Sequence, residues 1–130
     1  DILRNRKENL PELRRNKIIS NKLDSLVGKL IKLKNNKIAF LDRRLNRNSF
    51  YVEIIFLNRG LEDSVIGFEN ISDDQNIDPN EARILLNEIR NSIYYNRINT
   101  IRFDALAKQY ELPPKEVQKS VFRPVNSSSI

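Results

Sequence analysis

The sequence predicts an α+β fold, with an N-terminal helix, a small antiparallel β-meander and a C-terminal helical part. Three observations carry this expectation. Apolar residues recur at spacings of three and four up to Ile31. The run Phe50–Leu57 is dense in β-branched and aromatic residues and is bounded by turn signals. Asp78-Pro79-Asn80-Glu81 then reads as a helix start, after which the apolar spacing is helical again.

In the first element, Leu10, Leu13, Ile19, Leu23, Leu26, Val27, Leu30 and Ile31 fall mostly at helical spacing, which predicts an amphipathic helix ending near Gly28. Pro11 is expected in its first turn, where no intrahelical donor is needed, with the preceding residues frayed. Lys29–Lys34 and Lys37–Leu41 flank Asn35-Asn36, a turn signal, and so predict a hairpin; continuation of the helix to Lys34 is the competing reading. Phe50–Leu57 is expected at the centre of the sheet, and Asp63–Phe68 forms a shorter strand after the Gly60 turn. Three or four strands then make a meander, with the first helix packed on one face.

At Asp78 the carboxylate can cap backbone donors, Pro79 suits the first helical position and Glu81 can reach back. Ile84, Leu85, Ile89 and Ile93 extend this helix from Pro79 to about Tyr95, with a break at Asn96–Asn99. The whole chain, 1–130, suits one compact domain with a helix-plus-meander part (1–78), a helical part (79–123) and a frayed tail (124–130). It opens on Asp1 without an apolar signal core, so a processed chain or a piece of a longer one is expected, in an intracellular setting, cytoplasmic or nuclear.

The missing residue types narrow the chemistry. With no Cys and no His, the chain lacks thiolate nucleophiles, thiolate or imidazole metal sites and the usual general base near neutral pH. Only Gly28, Gly60 and Gly67 are present, so there is no nucleotide-binding Gly loop. Asp74, Asn76 and Asp78 alternate as in a calcium loop, but Pro79 replaces the turn Gly and Leu85 the bidentate Glu. A nuclease arrangement around Glu53 would need Lys where Ile55 stands. The expectation is a protein that is not an enzyme, with no cofactor, no metal and no membrane span.

Charge is strongly segregated. Residues 1–48 hold 14 Lys/Arg against 5 Asp/Glu, residues 49–82 hold 1 against 8, and residues 83–130 hold 8 against 4. Clustered cations attract phosphate or acidic surfaces, which singles out Arg14, Arg15, Lys17, Lys32, Lys34, Arg43 and Arg44 as candidate nucleic-acid contacts. The alternative is a solubility pattern on a solvated face. Phe50 and Tyr51 could stack bases, although a strand this apolar favours a core role.

The stretch from Phe103 to Val121 resembles a helix-turn-helix. Leu106 and Ala107 would face the core, Tyr110 and Leu112 would close the corner, and Val117 and Val121 would anchor the second helix, with Glu111 standing where such turns often use Gly. With the helix from Pro79 and an extended Ile98–Arg102, the order resembles a winged-helix domain up to its recognition helix, without the wing. The resemblance implies that Lys115, Lys119 and Arg123 meet phosphates and that Gln118 meets a base edge. Winged-helix-like endings of this pattern also occur in PCI-type scaffold subunits, where they mediate assembly.

Two functions are therefore expected. One is a non-enzymatic domain that binds DNA or RNA through a basic surface; the other is a scaffold subunit docking an acidic protein surface, as a homodimer or within a larger complex.

Overall fold

The computed structural model describes residues 2–114, with side chains from Leu10 onward. Its first element, α1, spans Ile2–Leu26. Ile19, Leu23 and Leu26 lie on one stripe at four- and three-residue spacing, and they pack on the sheet with Leu23 fully buried. Upstream that stripe becomes Asn16 and Glu12, so the apolar contact stops there, leaving Leu10, Leu13 and Ile18 exposed. Pro11 lies inside α1 rather than in its first turn. Proline removes a single donor from the ladder, and the helix here continues through it.

Gly28 ends the helical path at φ +80°, and its N–H donates to the Leu41 carbonyl at 2.8 Å. The chain then enters β1, Leu30–Lys32, and returns as β2, Ile38–Arg44. The hairpin prevails over helix continuation because Asn35-Asn36 turns the chain: Asn36 takes φ +71°, and Asn35 Oδ1 accepts from the Lys37 N–H at 3.0 Å. β3, Tyr51–Leu57, and β4, Leu61–Gly67, complete a four-stranded antiparallel sheet in the order β1-β2-β3-β4. A register shift between Leu41 and Arg43 marks a bulge at Asp42.

Both faces of the sheet are covered over β1 to β3, which is why those strands are apolar almost without alternation. Ile31, Ala39, Leu41, Val52 and Ile54 face α1, whereas Leu30, Phe40 and Ile55 face the C-terminal helices. The first of these helices, α2, spans Pro79–Arg90; Asp78 caps it by accepting from the Asn80 N–H at 3.0 Å, and Pro79 takes its first turn. It stops at Arg90, short of Tyr95, because Ser92 opens a 3-10 turn over Ile93–Asn96. Its buried stripe is Ala82, Leu85, Leu86 and Ile89; Ile84 and Ile93, which share the helical spacing, are exposed.

The last described helix, α3, spans Thr100–Gln109. It begins earlier than expected, so Ile98–Arg102 is not extended throughout: the Asn99 side chain caps the Arg102 N–H at 3.1 Å. Phe103 sits edge-on to both Phe40 and Tyr95, at centroid distances of 5.7 and 5.6 Å. After α3, Glu111 takes φ +62°, Leu112 N–H donates to Ala107 and Glu111 N–H donates to Lys108. That pairing is a Schellman turn with Glu where glycine is preferred. Arg90 Nη1 donates to the Pro113 carbonyl at 2.6 Å, fixing the chain beyond the turn to α2. No helix among the described residues is long and apolar enough to cross a membrane.

Candidate nucleic-acid interface

Four of the described cations, Lys29, Arg44, Arg47 and Arg102, come together around the last turn of α1. Two clefts flank that turn and share Asp24 and Val27 as lining residues. One, of about 350 Å³, lies between the α1–β1 junction and α3 and is lined by Lys29, Arg102 and Gln109 among others. The other, of about 530 Å³, lies between α1 and the chain after β2, where Ser20, Arg44, Asn46 and Arg47 line it. Lys17 stands three residues before Ser20 and seven before Asp24, which places it on the same helical face.

Arg44 builds this rim rather than presenting charge on it. Its guanidinium donates to Ser20, to Asp24 Oδ1 at 3.1 Å and to the Arg47 and Ser49 carbonyls, with only 10% of the side chain exposed. The pairing cancels Asp24, the one carboxylate lining either cleft. Lys29, Arg47 and Arg102 are exposed and form no ion pair among the described residues. Arg102 crosses Gly28 and donates to the Val27 carbonyl at 3.4 Å, which also satisfies a carbonyl at the negative end of the α1 dipole. The rim therefore carries net positive charge beside α3, the first helix of the corner.

The other candidate cations divide by environment. Arg14, Arg15 and Lys17 are exposed on α1. Lys34 is exposed beside the hairpin turn, while Lys32 is partly buried and lies 3.7 Å from Asp74. Arg43 pairs with Glu53 at 3.1 Å on the opposite sheet face. There Asp42 has its pKa raised, chiefly by burial; Glu53 and Asp63 add to the effect, and Arg43 and Arg97 oppose it. Tyr51 is half exposed and Phe50 partly buried. Lys115, Gln118, Lys119 and Arg123 lie outside the described residues.

Arg102 and Gln109 were not singled out by sequence reasoning. Their place on the rim depends on where α3 crosses the end of α1, and Gly28 is the only local sign of that close approach. Comparison of the chain with protein-family models, curated proteins and solved structures gives no match.

Proposed function

We propose that this chain is a non-enzymatic nucleic-acid-binding domain whose rim around the end of α1 follows a phosphate backbone. The observation that supports it most is the set of exposed cations Lys29, Arg47 and Arg102 on two adjoining clefts whose single carboxylate, Asp24, is neutralised by Arg44. Cations without a carboxylate partner among the described residues keep their attraction for phosphate, whereas Lys32 and Arg43 have part of theirs cancelled. Lys17 extends the positive surface along α1, and Arg14 and Arg15 add exposed cations on other sides of that helix. The turn at Glu111 supports the helix-turn-helix reading, in which the segment from Pro114 supplies Lys115, Gln118 and Lys119.

A second reading, a scaffold subunit, draws on Leu10, Leu13 and Ile18, three exposed apolar side chains on α1. The experiment that separates the two titrates the chain into labelled duplex DNA and single-stranded RNA over a range of salt. Arg14→Glu/Arg15→Glu, Lys29→Glu/Arg102→Glu and Lys115→Glu/Lys119→Glu are run beside it. Saturable binding that weakens with salt and falls in the charge-reversed variants supports nucleic-acid recognition. Absence of binding at low salt overturns it and leaves the scaffold reading.

A further inference from the structure

The two edges of the sheet are finished differently. Along β1 the chain closes its own edge: Lys34 N–H donates to Asn70, Ser72 N–H donates to Lys32, and Gln75 both accepts from the Lys32 N–H and donates to the Lys32 carbonyl. Leu33 and Ile71 form a bridge in the same place. These contacts are what a sheet uses to keep an edge from pairing with another chain.

Among the described residues β4 has no such cover. Phe68 N–H donates to Phe50 at 2.9 Å, so the even-numbered residues of β4 pair inward. Leu61, Asp63, Val65 and Gly67 turn their N–H and C=O groups away from β3, and no backbone or side-chain group of the described residues bonds to them. The strand runs seven residues in unbroken register, with neither proline nor bulge, and the side chains of residues 62–65 are exposed. It is a ready template for another strand.

Charge selects the partner. Glu62 and Asp63 are adjacent on β4 within the segment 49–82, which holds eight carboxylates against one cation; Arg97 pairs with Asp63 at 3.2 Å, whereas Glu62 forms no ion pair among the described residues. A second copy pairing antiparallel would bring two unpaired Glu62 carboxylates, beside two Asp63 already offset by Arg97, onto one short ladder, and like charges across strands are destabilising. We propose that β4 is a docking edge for an extended cationic segment of another protein. That segment adds a fifth strand, with Lys or Arg opposite Glu62 and Asp63 and β-branched residues opposite Val65 and Ile66. This surface is separate from the rim around α1, and neither depends on the other.

The test uses the full chain, isotope-labelled, with the peptide Thr-Val-Val-Thr-Lys-Lys-Val as probe and its Glu-Glu counterpart as control. The cationic peptide is expected to bind at least tenfold more tightly and to shift the amide signals of Leu61, Asp63 and Val65. Val65→Pro removes a donor that faces only the partner, so it should abolish binding while melting with the parent protein. Glu62→Lys/Asp63→Lys should reverse the preference between the peptides, and it keeps the test informative if the proline variant fails to fold. Absence of shifts on β4, equal binding of both peptides, or a concentration-dependent dimer that Val65→Pro returns to monomer would each overturn the proposal.

Discussion

The Arg102 side chain lies directly across Gly28, so that a Cβ added at Gly28 would come within 2.9 Å of the Arg102 Cδ. This close approach joins the start of α3 to the end of α1 and holds an exposed guanidinium between them. Gly28→Ala meets two obstacles, the φ of +80° and the Arg102 side chain. A loss of about 1–2 kcal/mol is expected from the backbone alone, read as a lower urea midpoint. In Gly28→Ala/Arg102→Ala the closest contact, to the Arg102 Cδ, should be relieved, while the 3.2 Å approach to the Cβ at position 102 and the backbone part should remain.

Arg44 is expected to act through stability. It bonds α1 and the segment 47–49 at once, and Arg44→Ala would leave several of those partners without their donor. Roughly 2–3 kcal/mol of destabilisation is expected, since hydrogen bonds to charged groups are the stronger kind. Arg44→Lys should restore little of it, because a single ammonium cannot reproduce the fork. Chemical denaturation checks both.

Glu111→Gly should stabilise the domain. The residue holds the left-handed position of the Schellman turn at φ +62°, where glycine avoids the Cβ penalty. A gain of about 1 kcal/mol is expected, seen as a raised thermal midpoint; an unchanged or lower midpoint would show that the Glu111 side chain compensates.

Asp42 gives the stability a specific pH signature. Its pKa is raised in the fold above its ordinary value, mainly by burial, so the folded state favours the protonated carboxyl. A group of this kind contributes stability at low pH that is lost as pH rises through the folded pKa. Asp42→Asn should therefore be more stable than the parent at neutral pH, with the difference shrinking as pH falls through the carboxylate range. Parallel denaturation series across pH check the sign.

Phe103 anchors α3 between Phe40 and Tyr95, fully buried and edge-on to both. Phe103→Ala is expected to cost about 3–5 kcal/mol, which exceeds half the stability of many small domains. Circular dichroism with urea should show a greatly lowered midpoint.

The architecture was legible in the sequence wherever local chemistry and apolar pattern agreed. Asn35-Asn36 turned the hairpin, Phe50–Leu57 marked the central strand, and Asp78-Pro79 opened α2. Errors arose where one residue's local effect decided a boundary: Ser92 ended the helical run before Tyr95, and Asn99 started α3 inside a stretch read as extended. Ile84 and Ile93 show that helical spacing alone does not distinguish buried from exposed isoleucines. The rim was legible only in part. Charge density identified the basic N-terminal half, but not that Arg44 would be enclosed, that Arg43 and Lys32 would find carboxylates, or that Arg102 would join from α3. These outcomes depend on contacts between residues distant in sequence.

The most direct test of the nucleic-acid reading is the salt dependence of binding for Lys29→Gln/Arg102→Gln against the parent chain on one labelled duplex. If both cations meet phosphates, the log–log slope should become shallower by about 1.8, since each contact contributes roughly 0.9 on duplex DNA. An unchanged slope, with or without weaker binding, would contradict placement of the phosphate backbone on this rim.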